Sequence, residues 1–350
     1  MTITVKTGCH SCFIIPPSVL QALERDASLQ AQTRDALNRS FAETNRLRAI
    51  REGHRQSLLG RRRFLQSVVA AEPPQQQLYD CRHRTHLPGR LAPNPAQSSD
   101  AGIKAVYAAT QGVISFYSTV LNRSSIDDQG MDVLSSLHYG KDYQNAFWNG
   151  SQMVYGDGDG QIFKPFYLSP DVIGHELTHG VTQYLSGLAY EREAGGLNES
   201  ISDVFGAVFN QQFNNLPASD AKGWLIGAGI MGPLATSKGK TCLRDMLAPS
   251  ASHCLSPQPD TYSQIDPMDD PHDTSGVPNK AFAKFAQALG GNSWDVAIKV
   301  WYDACRNPLL TSNATFAQFA SLTASAAKER NVLQQLVGAW ETVGVNALQL

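Results

Sequence analysis

At 350 residues, 42% apolar and 17% charged, the chain can bury at least two cores of ordinary domain size and has the composition of a soluble globular protein. Its formal net charge of −2 offers no bulk attraction to nucleic acid or to an anionic membrane, and no apolar run is long enough to cross a bilayer. Neither nucleic acid nor membrane is therefore expected as a partner.

Charge is unevenly spread. Residues 1–72 hold 11 Lys and Arg against 6 Asp and Glu, and the remainder holds 18 against 25. A basic segment ahead of an acidic body predicts attraction within the chain, or to another acidic partner. The opening residues lack the charged start, apolar stretch and small-residue cleavage site of a secretory signal. The expectation is cytoplasmic residence or export by an unconventional route.

In chain order, Phe13-Ile14-Ile15-Pro16-Pro17 leads into a helix entered through Pro17. Polar, Arg-rich helical sequence follows as far as Arg61-Arg62-Arg63. The Pro/Gln run 73–77 then reads as a linker. Apolar residues at helical spacing predict a helix over 101–121. Short strands are expected at Val133–Tyr139, Asn145–Trp148 and Met153–Tyr155, separated by the turns Asn149-Gly150 and GDGDG, 156–160. From 170 onward the pattern is helical, with loops at 186–196 and 231–276. Cys242 and Cys254 are close enough in sequence for a loop-closing bridge.

His175-Glu176-Leu177-Thr178-His179 is the strongest chemical signal. On a helix, residues four apart share a face, so His175 and His179 can reach one metal ion. Glu176 can then address water beside that ion without being a ligand. Alone, such a pentapeptide also arises where histidines cap or pack a helix. Asn198-Glu199-Ser200-Ile201-Ser202-Asp203, after an expected Gly195-Gly196 turn, supplies the missing carboxylate. Glu199 would complete a His₂Glu set with one position left open, the pattern of a catalytic zinc site. Asp203, one turn on, is placed to accept the second ring N–H of a liganding histidine.

HELTH, NESISDVFG and NAFWNGSQMVYGDGDGQIF together resemble the thermolysin family over residues 78–350. The IIPPSVL element resembles the pro-segment of the protealysin-like, short-precursor branch. The resemblance implies a two-lobed α+β peptidase: a pro-segment (1–75), a β-rich lobe ending in the HELTH helix (76–184) and a helical lobe (185–350), the active-site helix lying between the lobes. It implies one catalytic Zn²⁺ on His175, His179 and Glu199, with Glu176 as base and Tyr190 and His272 as oxyanion donors. Asn198 and Asp203 match partners of the two histidines. Asn145, Ala146 and Arg244 match groups that hold a substrate backbone. Phe163, Phe166, Val172 and Leu243 match the wall of the pocket for the residue after the cut.

Two departures stand out. The carboxylates of the family's double calcium site are mostly replaced, Asn210 and Asn214-Asn215 among the replacements. Asp171 remains, so that double site is not preserved and calcium is left open. Pro267 occupies the spacing of the acid that orients His272, leaving Asp266, Asp269 or Asp270 for that role.

The function expected is that of a zinc endopeptidase cutting before apolar residues, monomeric, acting on peptides or proteins, and restrained by its own pro-segment until cleavage within 61–77. Either Cys9 or Cys12 could supply a thiolate to the open zinc position. The rivals are a zinc aminopeptidase and a non-catalytic binding protein of the same fold.

Overall fold

The computed structural model describes residues 12–58, with side chains from 12 to 50, and residues 74–348. Cys9 and most of the expected cleavage stretch lie outside the described residues. Strand β1 (Cys12–Phe13) and helices α1 (Pro17–Glu24) and α2 (Ala31–Leu58) come first. Pro17 opens α1, where a missing N–H costs nothing.

The next lobe holds β2 (Gln76–Asp80), β3 (Arg90–Leu91), α3 (Ala101–Leu121), β4 (Val133–Leu137), β5 (Ala146–Trp148), β6 (Met153–Tyr155) and α4 (Pro170–Leu185). Gln76 and Gln77 are strand residues paired with Val133 and Leu134. The last two residues of the Pro/Gln run are thus not linker, because β4 captures them. Helix α3 has the expected bounds, since Asp100 caps it by accepting from the amides of Gly102 (2.7 Å) and Ile103 (3.1 Å).

The six-stranded sheet runs β1-β5-β6-β4-β2-β3. Its edge partner β1 lies antiparallel to β5, with Cys12 opposite Trp148 and Phe13 opposite Phe147. The first segment therefore extends the sheet of the body that follows it. Leu20 of α1, Leu37 of α2 and Leu29 in the turn between them are buried in the main core. Ion pairs Arg39–Asp142 (3.2 Å) and Arg48–Asp270 (3.9 Å) cross the same seam, as the charge asymmetry predicts. An Asp26–Lys238 pair runs with the opposite polarity.

The last lobe contains α5 (Arg192–Phe213), β7 (Leu225–Ile226), α6 (Pro233–Ser237), β8 (Arg244–Asp245), α7 (Pro271–Thr274), α8 (Gly276–Leu289), α9 (Ala297–Cys305), α10 (Phe316–Glu329) and α11 (Leu333–Thr342). The expected Gly195-Gly196 turn is absent: both residues lie inside α5. They are glycine for proximity, since a Cβ on Gly195 would sit 2.8 Å from Pro271 and one on Gly196 2.3 Å from Thr274. The expected loop 231–276 likewise contains α6, β8 and α7, short elements with little periodicity to read.

The GDGDG stretch forms a turn, with Asp159 accepting from the amides of Gln161 and Ile162 at 2.9 Å. Asp157 faces His138, whose ring bridges Asp157 (2.9 Å) and the α3 cap Asp100 (3.1 Å), with His83 also 3.2 Å from Asp157. The Asp157 bond raises the His138 pKa, burial opposes it, and Asp100 adds to the rise, giving about 9. A pKa raised on folding from about 6.5 contributes stability that is fully present below the unfolded value and lost as pH climbs through the folded one. With Glu176→Gln suppressing self-digestion, the Tm should fall by roughly a few °C more between pH 6.5 and 9.5 in the parent than in its His138→Gln derivative. Equal falls in thermal scans would rule this switch out.

Candidate active site

The site is built where α4 and α5 cross with their backbones nearly touching. A Cβ on Gly174 would lie 2.9 Å from the Gly206 Cα, and one on Gly206 2.5 Å from the Asp171 carbonyl. At that separation the His175 and His179 face of α4 looks directly onto Glu199 of α5. All three are fully buried, as is Glu176 beside them.

The donor atoms converge. His175 Nε2 and His179 Nε2 are 3.0 Å apart, His175 Nε2 is 3.5 Å from Glu199 Oε2, and His179 Nε2 is 3.6 Å from Glu199 Oε1. Atoms bound at about 2.1 Å to one tetrahedral zinc lie about 3.4 Å from each other, so the set fits the ion.

The outer ring nitrogens are already engaged. His175 Nδ1 is 2.9 Å from Asp203 Oδ1, and His179 Nδ1 is 3.0 Å from both Asn198 Oδ1 and Ser202 Oγ. N–H bonds at Nδ1 leave lone pairs at Nε2, pointing at one another. Burial, and then the adjacent His175, hold the His179 pKa well below the usual histidine range. Glu199 Oε2 has no hydrogen-bond donor among the described residues. A buried cluster of lone pairs and carboxylate oxygen calls for a cation.

Asp203 organises the surroundings. It accepts from Arg244 Nε (2.8 Å) and Nη2 (2.7 Å) and from Asn279 Nδ2 (2.9 Å), besides meeting His175. Burial pushes its pKa up, but the Arg244 charge and the His175 bond outweigh this and hold it well below the usual carboxylate range. Ser202 sits inside the quoted NESISDVFG motif but was not singled out there as a partner of His179. Asn279 carried no signal in the sequence.

Asp270 answers the question left by Pro267: its Oδ1 lies 2.6 Å from His272 Nδ1 and also accepts the His272 amide at 3.0 Å. His272 Nε2 is 2.6 Å from the Phe13 carbonyl. With an acceptor on each nitrogen the ring is held as the cation. Burial lowers its pKa, yet Glu199 and Asp270 prevail and raise it to about 9. Tyr190 donates its hydroxyl to Glu199 and lies 3.4 Å from His272 Nε2. Burial and the Glu199 charge keep that phenol protonated.

The residues expected to bind a substrate backbone hold the chain's own N-terminal segment. The Ile14 amide donates to the Ala146 carbonyl (3.1 Å) and the Ile15 amide to Asn145 Oδ1 (3.0 Å). Asn145 Nδ2 returns a bond to the Ile15 carbonyl (2.9 Å), and Arg244 Nη1 donates to the Ile14 carbonyl (3.1 Å). Phe163, Phe166, Val172 and Leu243 are all buried and, like Ile14, belong to the main apolar core. Phe13 points to the other face and packs on Phe147, ring centroids 5.1 Å apart. Cys12 places its sulfur within 4.8 Å of the donor atoms of His179 and Glu199.

Both oxygens of Asp171 are engaged within the protein. It is buried, accepts from Ser169 and from the Gly227 amide, and so pins the start of α4 to the turn beneath Leu243.

Comparison with known proteins agrees with this geometry. The family model for the thermolysin metallopeptidase catalytic domain matches residues 63–183, and that for its alpha-helical domain matches 186–345. The chain belongs to the thermolysin metallopeptidase family. It is 38% identical over 289 residues to an extracellular metalloprotease of Pectobacterium carotovorum, covering 78% of this chain and 81% of that one. With thermolysin of Alicyclobacillus acidocaldarius it shares 37% over 294 residues, 76% of this chain and 50% of that one. The precursor of protealysin, a metalloproteinase from Serratia proteamaculans, superposes with a TM-score of 0.80 at 35% identity, covering 95% of this chain and 99% of that one. The protein is thus a zinc-dependent peptidase in its self-inhibited precursor form.

Glu199→Ala should cost the peptidase one equivalent of zinc after dialysis. Asp203→Asn should keep the ligands but weaken zinc binding about 10–100-fold. Elemental analysis and competition with a zinc-binding dye measure both. Full retention by Glu199→Ala would show that the ligand set is wrong.

Proposed function

We propose that the N-terminal segment occupies the cleft in the polarity and register of a substrate, with Ile14 where the residue after the cut would lie. One observation carries this: Ala146, Asn145 and Arg244, expected to hold a substrate backbone, and His272, expected as an oxyanion donor, together bond the successive peptide groups of Phe13 to Ile15. Pairing of an extended peptide with a sheet edge is how many proteases hold their substrates.

The roles follow from that register. Arg244 and Asn145 fix the strand beyond the cut, and the apolar cluster around Ile14 favours a bulky aliphatic residue there. His272 and Tyr190 place N–H and O–H donors where a carbonyl oxygen gains charge. Glu176, dry and next to His175, takes the proton of attacking water and returns it to the leaving amine. Zinc, when bound to His175, His179 and Glu199, supplies Lewis acidity to the peptide carbonyl and to the attacking water.

Cys12 precedes Phe13, and Ile15 and Pro16 follow Ile14, so the described segment has chain on both sides of the Phe13–Ile14 bond. That supports an endopeptidase over an aminopeptidase, which must end its groove at a free amine. Cys12, beside His179 and Glu199, is the residue that would close the open metal position in the precursor with a thiolate.

Glu176→Gln should retain zinc and lose at least about 10³-fold in kcat on an amino-terminally blocked peptide with Ile or Leu after the cut. Activity near the parent value would remove Glu176 from its role, and failure of the parent to cut any blocked peptide would favour the aminopeptidase. In the uncleaved precursor, Cys12→Ser should raise initial turnover of the same peptide by about tenfold, the loss of roughly 1.4 kcal/mol of restraint. An unchanged rate would leave Cys12 a packing residue.

A further inference from the structure

Away from the cleft, on the chain leading into β8, a second set of donor atoms is gathered. Cys242 and Cys254 are both fully buried and face each other with their sulfurs 4.0 Å apart. They are not joined, contrary to the bridge that their spacing allowed. The imidazole of half-buried His253 offers a nitrogen within 4.8 Å of both sulfurs.

The spacing discriminates between two chemistries. Sulfurs of a disulfide lie about 2.05 Å apart. Two thiolates at about 2.3 Å from one tetrahedral zinc ion lie about 3.8 Å apart, close to what is found.

The third donor is oriented as metal-binding histidines are. His253 Nε2 lies 3.1 Å from Asp245 Oδ2, while Asp245 Oδ1 is fixed by the amides of Leu247 (2.8 Å) and Ala248 (3.3 Å). A carboxylate on one ring nitrogen sets the tautomer and leaves the other, Nδ1, as the basic atom. The backbone is equally constrained. Cys242 and Cys254 form a parallel β-bridge, with the Leu255 amide donating to the Cys242 carbonyl (2.9 Å) and the Ser256 amide to the Leu243 carbonyl (3.0 Å). Lys240 spans the same turn, its ammonium 2.8 Å from the carbonyls of Ser252 and Cys254, where its charge favours thiolate.

We propose that Cys242, His253 and Cys254 bind a second zinc ion, separate from the catalytic one. Binding releases the two thiol protons to solvent and involves no redox change. Two thiolates and Zn²⁺ sum to zero charge, so a neutral assembly is buried. Water fills the fourth position on the exposed His253 side. The ion would staple residues 253–256 to the strand that delivers Leu243 to the apolar pocket and Arg244 to the cleft.

The test uses the full chain carrying Glu176→Gln, purified under reducing conditions with zinc and dialysed into metal-free buffer. Elemental analysis should find two zinc ions per chain, one after Cys242→Ser, one after Glu199→Ala, and none when both are combined. His253→Ala, at a half-exposed position that the fold tolerates, should weaken the second ion at least about tenfold in competition with a zinc-binding dye. It decides the matter if Cys242→Ser fails to fold. A parent chain that holds only one zinc ion, a count of two that persists through both Cys242→Ser and His253→Ala, or thiol counting and mass analysis showing a Cys242–Cys254 disulfide would each overturn the proposal.

Discussion

The distance between α4 and α5 is the constraint from which the rest of the site follows. Glycine at 174 and 206 lets the two helix backbones touch, closer than the 8–10 Å interaxial spacing that ordinary side chains impose. A methyl group at either position would push the helices apart, and the three liganding side chains, whose donor atoms now approach one another to 3.0–3.6 Å, would no longer enclose one ion. Catalytic geometry here is thus a packing property of two residues that have no side chain.

Close approach brings charge together, and the balance of that charge identifies what belongs at the centre. In their ionised forms Glu176, Glu199, Asp203 and Asp270 bring four negative charges to the site. Arg244 and the His272 cation bring two positive ones, the former through a bidentate pair with Asp203 and the latter through Asp270. The remaining excess lies at Glu176 and Glu199, in surroundings too dry for either to be screened. A divalent cation between the imidazoles is what neutralises it. Arg244 therefore serves twice, compensating the Asp203 carboxylate that orients His175 and presenting Nη1 to a peptide carbonyl.

Much of this was legible in the sequence because the chemistry is carried by local motifs. HELTH and NESISD each lie on one helix, so spacing alone tells which residues share a face, and the periodic α3 showed its bounds for the same reason. What escaped was non-local. Gly195-Gly196 read as a turn because glycine usually marks one, whereas here it admits Pro271 and Thr274 to the side of a helix. Asp270 could not be separated from Asp266 and Asp269, since the choice depends on how the short α7 enters the site. Gln76 and Gln77 looked like linker, yet pairing with β4 overrode their weak strand preference. Asn279 reaches Asp203 from a helix 76 residues away in sequence, a contact with no local trace.

The precursor's restraint divides unequally between charge and packing. The Arg39–Asp142 pair is roughly half exposed on its arginine, and pairs of that kind contribute about 0–1 kcal/mol. By contrast Phe13, Ile14, Ile15, Leu20, Leu29 and Leu37 are each at least 96% buried, with relative exposures of 4% or less, and burying one such side chain is worth about 1.5–3 kcal/mol. The basic character of the segment guides it to an acidic body, and its apolar residues keep it there. Arg48 is the exception with a chemical consequence, because its partner Asp270 orients His272. While the segment is docked, Arg48 draws on Asp270 and the Phe13 carbonyl occupies His272 Nε2. Removing the segment returns both the carboxylate and the imidazole to a single task, which on the proposed reading is to hold an N–H donor ready for a substrate carbonyl. The same contacts that make the segment a good inhibitor therefore describe what a good substrate must do, and only the covalent tether, which raises its effective concentration to the order of mM, sets the two apart.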